Sequence, residues 1–426
     1  MQHVDDRLFR RESGRMVAAL TRIFGIHNLA LAEDVVQDAF CRALEVWKLR
    51  GVPENPAAWL MTAAKNRALD VLRRERTART YAPQLSRLLQ TEWTLSPVVS
   101  EQFQPSAIKD DQLRMMFSCC QPSLPEDVQV ALVLQLVCGF SVKELASAFL
   151  LSEAAMQKRL WRGKKALADS NELFDLEDGA FPERLTAVHR ALYLLFNEGY
   201  HSASSDAAIR ADLCREALRL GALLLDNGLT ATPGSFALCA LFCFNAARLP
   251  ARLDESGELA ALDRQDRSRW DRALINRGQR YLESAASGEE VSEYHIEAAM
   301  AWIHASAPSA QQTDWAKIVS LYDALLRLRN TPVVALNRAV ALAQLEGPAR
   351  GLEAIDAIAD KERLQEYPFY FAALGELESR AGRMTSAREH FTAAAALARN
   401  PVERRFLETR VQECARRDIT ARASLA

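Results

Sequence analysis

The chain has 426 residues, 49% of them hydrophobic, and a formal net charge of −2, which excludes a mainly disordered polypeptide and allows two or three domains with sizeable cores. Charge is unevenly placed: residues 1–168 hold 23 Lys and Arg against 18 Asp and Glu, and the remainder holds 30 against 37, so a basic front half is joined to an acidic rear half. The eight cysteines form no CxxC pair, no secretory apolar segment opens the chain, and no uninterrupted apolar run reaches about 18 residues, so neither a metal cofactor nor a membrane span is expected and the compartment is a reducing cytoplasm.

Three helical patterns fill residues 7–79. In the second, Val36, Phe40, Ala43, Leu44 and Trp47 form an apolar stripe, and Asp34, Gln37, Asp38 and Glu45 form an acidic ridge on another face. The loop Gly51–Pro56 ends it, and Pro56 stands at the start of a third helix, about Ala57 to Arg79. Leu60, Ala64, Ala68, Val71 and Leu72 are its inner positions; Asn66, Arg67, Arg73, Arg74, Arg76 and Arg79 load its outer side. Those arginines suit nucleic-acid phosphates, and they equally complement the helix dipole near a C terminus. Trp59 reads as a packing residue rather than a base-stacking platform.

Residues 80–109 carry Pro83, Pro97 and Pro105 with a weak apolar period, and read as a linker with one short helix around Leu85–Gln90. Helical pattern returns over Asp111–Cys120 and Glu126–Val137. Ser141 and Glu144 then form a capping box, and Val142, Leu145, Ala146 and Phe149 give the helix that follows one apolar face. Ser152 caps a further helix whose Met156, Leu160, Gly163 and Leu167 form a buried stripe, leaving Gln157, Lys158, Arg159, Arg162, Lys164 and Lys165 elsewhere. This is a helix-turn-helix pattern: the cations suit phosphates and Gln157 suits base edges, although a basic outer face also fits a solvated helix.

Beyond Asp169 the chain is helical almost throughout, with turn signals at Pro233-Gly234, Gly347-Pro348 and Gly382. Gly351 and Ile355 are echoed 36 residues later by Ala387 and Phe391, and Phe371, Leu374, Gly375, Ala387, Phe391 and Ala394 fall on the spacing of a tetratricopeptide repeat. Cys119, Cys120, Cys239 and Cys243 read as buried small hydrophobes, and His189, His201, His295 and His304 as ordinary helical histidines. Neither a phosphate-binding glycine loop, a serine elbow nor His-Glu-x-x-His is present, so no catalytic residue and no cofactor is expected.

The front half resembles a sigma factor of the extracytoplasmic-function (ECF) type within the sigma-70 family. Ala32-Glu-Asp-Val-Val-Gln-Asp-Ala-Phe40 looks like the family's polymerase-docking helix, Ala58 to Arg74 its minus-ten helix, and Met156 to Lys165 its minus-thirty-five recognition helix. Asp110 to Cys120 and Leu194-Leu-Phe-Asn-Glu-Gly-Tyr200 look like signatures of a subgroup with a long helical extension ending in tetratricopeptide-like repeats. Gln121 departs from that subgroup, which usually places histidine there, so a metal role for the Cys-Cys pair loses support.

The resemblance implies an all-α chain: region 2 over residues 7–79, a linker over 80–109, region 4 over 110–168, a helical extension over 169–330, and repeats over 331–415. It implies that Asp34, Gln37 and Asp38 meet the RNA polymerase core, and that Asn66, Arg67, Arg73, Arg74, Gln157, Lys158, Arg159, Arg162 and Lys165 meet promoter DNA. Asn66 and the Gly51–Pro56 loop would lie beside a base extruded from the non-template strand. The acidic rear half would regulate or support activity and offer a surface to a protein regulator, with Phe196, Asn197, Glu198 and Tyr200 as candidates for an interdomain contact or for plain helix packing. Two other readings of the same residues are a one-component DNA-binding regulator with a helical-repeat sensor domain, and a repeat scaffold with incidental basic helices.

Overall fold

A computed structural model describes residues 6–25, 28–78, 105–149, 151–169, 180–201, 209–254, 258–398 and 400–423. Among them the chain is all-α, and the only β pairing is an isolated bridge between Leu253 and Leu259. The chain divides into two compact units, Met1–Leu195 with Ala222–Thr230, and Phe196–Gly221 with Ala231–Ala426. The first helix after residue 169, Ala180–Tyr200, is therefore divided between the two units.

The first unit opens with α1 (Asp6–Phe24), α2 (Leu29–Arg50) and α3 (Pro56–Ala78). Val36, Phe40, Ala43 and Trp47 are buried as their spacing requires, and Leu60, Ala64 and Ala68 of α3 are fully buried. Leu44 is 54% exposed, against expectation. It stands one residue beyond Ala43, about 100° around the helix and off the stripe. Trp59 packs edge-on against Trp47, ring centres 5.4 Å apart. Asn55 Oδ1 accepts the backbone N–H of Ala58, so a side-chain cap and a first-turn proline fix the start of α3 together.

The helix expected from Asp111 begins earlier, as α4 (Pro105–Cys119). Proline is at home in a first helical turn, so Pro105 starts this helix instead of belonging to the linker. The suggested helix at Leu85–Gln90 and Arg79 lie outside the described residues. Next come α5 (Glu126–Leu136), α6 (Val142–Ala148) and α7 (Glu153–Asp169), then α8 (Ala180–Tyr200). The first half of α8 packs on α4: the rings of Phe181 and Phe117 are 4.8 Å apart, and Arg184 Nη1 donates to the Phe117 carbonyl at 3.2 Å.

Contacts far apart in sequence tie the early helices to the later ones within this unit. Asp111, 1% exposed, accepts from Arg22 at 2.5 Å. Gly14 in α1 lies so near residue 137 that a Cβ there would sit 2.0 Å from the Val137 carbonyl oxygen.

The second unit contains most of α9 (Ala211–Leu225), then α10 (Pro233–Ala247), α11 (Arg272–Ala285), α12 (Glu293–Ser306), α13 (Trp315–Leu328), α14 (Pro332–Glu346), α15 (Pro348–Asp356), α16 (Pro368–Arg380), α17 (Met384–Ala396) and α18 (Pro401–Ala423). Pro233-Gly234 is no turn: Thr232 caps the helix by accepting from the Ser235 N–H, and Pro233 occupies its first turn. The stretch Pro233–Ala251 is apolar and long enough by composition to cross a membrane, and 67% of it is buried inside the fold. Three apolar clusters follow one another along the chain, around Ile318 and Leu325, around Leu336 and Leu377, and around Phe391 and Leu407. Gly351 and Gly375 mark close approaches, since a Cβ on Gly351 would lie 2.4 Å from the Ala343 Cβ and one on Gly375 would lie 2.9 Å from the Phe391 ring.

Gly14→Ala is expected to destabilise the front unit by about 1–3 kcal/mol, because the obstructing atom is backbone and cannot rotate away. Thermal unfolding checks this, and a Gly14→Ala protein that melts with the wild type would refute the close approach.

Candidate nucleic-acid and polymerase interface

The helix-turn-helix is built as its local chemistry dictates. The Ser141 N–H donates to Glu144 Oε2 at 2.8 Å and the Glu144 N–H donates to Ser141 Oγ at 3.2 Å, closing the capping box that starts α6. The Ala155 N–H donates to Ser152 Oγ at 3.3 Å, which starts α7. Met156, Leu160, Gly163 and Leu167 are all buried, the three large ones contributing about 1.5–3 kcal/mol each. A Cβ on Gly163 would meet Val128 Cγ1 at 2.8 Å and Leu132 Cδ1 at 3.0 Å, so the glycine lets α7 lie against α5.

With that face committed, Gln157, Lys158, Arg162 and Lys165 are exposed. Arg159 is half-buried and pairs with Asp127 at 2.6 Å. Lys164, also half-buried, donates to both carboxylate oxygens of Glu33 on α2, at 2.6 and 2.9 Å. Trp161 is 64% exposed, with the Lys165 ammonium 5.5 Å from its ring centre. Sequence reasoning missed Trp161, although its place one residue after buried Leu160 puts it on the outward face.

On α2, Asp34, Gln37 and Asp38 are exposed. Asp38 Oδ2 accepts from Arg67 Nε of α3 at 2.9 Å, so one expected polymerase contact and one expected DNA contact are partners here. Around this pair a groove of about 380 Å³ is lined by Asp38, Ala39, Cys41, Arg42, Glu45, Ala63 and Arg67. Asn66 is exposed beside Arg67. Arg73 and Arg74 lie on α3, but their side chains are outside the described residues. Leu44, Leu49 and Val52 are exposed at 54%, 86% and 53% near the end of α2, an apolar addition to the acidic ridge that the stripe pattern did not reveal.

Of the candidate interdomain residues, Phe196 stacks on Phe242 at 4.6 Å within the second unit. Cys119 and Cys120 are buried, and burial pushes both thiols up, Cys120 to about 12. Among the described residues no three His, Cys, Asp or Glu side chains are grouped to hold a metal ion.

These helices form a helical module at the front of the chain and a helix-turn-helix whose outward face carries cations, the class of module that suits DNA. Residues 8–78 match the model of sigma-70 region 2, and residues 114–167 match that of sigma-70 region 4. Residues 184–286 match DUF6596, a family of unknown function. The chain is 32% identical to the RNA polymerase sigma factor CarQ of Myxococcus xanthus over 182 residues, 41% of this chain and 94% of CarQ. It is 26% identical to the ECF RNA polymerase sigma factor SigX of Bacillus subtilis (strain 168), covering 33% of this chain and 71% of SigX. An uncharacterised protein of Rhizobium meliloti (strain 1021) is 39% identical over 95% of this chain and 94% of its own length. The chain belongs to the sigma-70 family of RNA polymerase sigma factors.

Of the eight cysteines only Cys41 is exposed. A thiol reagent such as Ellman's is expected to react with one cysteine rapidly in the native protein and with the rest on unfolding, because burial keeps the reagent from the other seven sulfurs. Rapid reaction of a second thiol would contradict the burial of the other seven.

Proposed function

We propose that the chain directs core RNA polymerase to a set of promoters in the cytoplasm, with catalysis supplied by the polymerase. The observation that carries this reading is the outward face of α7, where Gln157, Lys158, Trp161, Arg162 and Lys165 stand free of the core opposite a fully buried stripe. An amide near the start of a recognition helix suits an adenine edge, and flanking cations suit phosphates. Trp161 would add an apolar contact such as a thymine methyl group.

Asp34, Gln37 and Asp38 would meet the polymerase core, with Leu44, Leu49 and Val52 as an apolar flank. Asn66 and Arg67 would border the melted minus-ten segment, and Arg73 and Arg74 would hold phosphates beside it. Unstacking a base costs a few kcal/mol, which such contacts must offset. Arg67 and Arg159 are held by exposed or half-exposed carboxylates, a kind of pairing of about 0–1 kcal/mol, so exchanging Asp38 or Asp127 for a phosphate is energetically open.

The rear half supports this activity on our reading. Phe181 and Arg184 of α8 cover Phe117 of α4, so removing everything after residue 170 would uncover apolar surface on the region-4 segment. The hairpins α14–α15 and α16–α17, with small residues at their contacts, resemble tetratricopeptide units and would offer a surface to a protein regulator.

Promoter-directed transcription with purified core polymerase tests the assignment, and its failure on every promoter of the source genome would sink it. In the same assay truncation after residue 170 should abolish initiation, while unchanged activity would remove the supporting role. Arg162→Ala should weaken binding of the assembled holoenzyme to promoters and reduce the salt slope by about one phosphate contact. An unaltered slope would remove Arg162 from the interface.

A further inference from the structure

Many arginines of the second unit are paired with carboxylates, such as Arg329 with Glu293 and Arg338 with Asp323, but among the described residues three near Trp270 and Tyr200 are not. Arg248 follows α10, Arg252 lies on the next turn, and Arg267 opens the short turn before Trp270. The guanidinium of Arg267 lies 4.5 Å from the centre of the Trp270 ring, and that of Arg248 lies 5.7 Å from the same ring. Arg252 lies over Tyr200 at 4.1 Å. Among the described residues none of the three is in an ion pair.

Part of this arrangement is structural. Arg248 Nε donates to Gln265 Oε1 at 3.3 Å, and Arg267 Nη1 donates to the carbonyls of His304 and Ala307 at 2.7 and 2.8 Å, closing the C terminus of α12. The remainder is unmatched. Among the described residues Arg252 Nε, Arg267 Nη2, Trp270 Nε1 and Tyr200 Oη are all buried without a hydrogen-bond partner, and Trp270 and Tyr200 are only 3% and 6% exposed. Buried donors and unpaired cations are costly, and unmatched groups of this kind mark a place where a partner belongs. His304 faces the same field: burial first, then Arg248 and Arg267, hold its imidazole neutral, with its pKa pushed down to about 4.

We propose that Arg248, Arg252 and Arg267, with Tyr200 Oη and Trp270 Nε1, bind a small phosphate-bearing ligand, either free phosphate or a phosphomonoester. The unmatched side-chain groups named are donors, or can donate in the case of the phenol, so the ligand must be rich in acceptors. Guanidinium forks suit phosphate oxygens, and stacking on Trp270 and Tyr200 limits the freedom of the arginines before the ligand arrives. Three cations without a carboxylate favour a dianion over a single carboxylate. Tyr200 closes the Leu194–Tyr200 motif, and all five residues fall within the segment that matches DUF6596. The proposal does not depend on the transcription assignment, because it concerns only the second unit.

The test uses the full-length protein near neutral pH at constant ionic strength. Inorganic phosphate and phenyl phosphate are titrated against chloride and acetate, with thermal midpoint and tryptophan fluorescence as readouts. Saturable stabilisation by phosphate or its ester, absent with acetate, is expected; tighter binding of phenyl phosphate identifies an ester as the ligand, and equal binding identifies free phosphate. Arg252→Gln, whose guanidinium makes no hydrogen bond among the described residues, should fold and weaken binding by about tenfold or more. Wild-type protein that responds to both phosphates no more than to acetate overturns the proposal, and so does an Arg252→Gln protein that binds as tightly as wild type.

Discussion

The seat of α7 on α5 is the contact on which the front unit's chemistry depends. Gly163 faces Val128 and Leu132 at distances that admit no side chain, and Met156, Leu160 and Leu167 fill the rest of that face. Once this side is committed to the core, the 3.6-residue period leaves Gln157, Trp161 and Lys165 no other place than the outside. The same rule sets α2, where the buried Val36, Phe40 and Trp47 turn Asp34 and Asp38 outward. Recognition surfaces on these helices are what remains after packing has taken its share.

The ion pairs of this unit fall into two energetic classes. Arg22, 39% exposed, meets Asp111, whose carboxylate is 1% exposed, so the acidic partner is desolvated and depends on being matched inside the fold. Asp38 with Arg67 and Asp127 with Arg159 are open to solvent on at least one side and are worth far less. Glu33 with Lys164, about a quarter exposed on each partner, lies between them. The tightly held pair organises the helices, and the weak ones hold cations that another anion can claim.

The second unit uses the same devices. Its helix pairs approach through glycine and alanine, at Gly351 with Ala343 and at Gly278 with Phe244, and its helices start on side-chain caps such as Thr232, Asp271, Asp314 and Thr331. Within this framework apolar clusters follow one another along the chain. Against it the group around Arg248, Arg252 and Arg267 stands out, since these cations face aromatic rings and one another instead of carboxylates.

Local chemistry was readable from the residues alone: the capping box at Ser141 and Glu144, the cap at Ser152, the stripe from Met156 to Leu167, and the apolar positions that make the chain all-α. These depend on neighbours within about two helical turns, which a sequence displays directly. Pro105 was readable in principle, since its fixed φ suits a helix start as well as a linker, yet its two uses look the same until the helix is seen. The pairing of Asp38 with Arg67, the approach of Gly14 to Val137, the continuation of the front unit into α8 and the arginine cluster from Arg248 to Arg267 with Tyr200 belong to tertiary structure alone. Each joins residues dozens or more positions apart, or rests on groups left without partners, and neither condition leaves a period in the sequence.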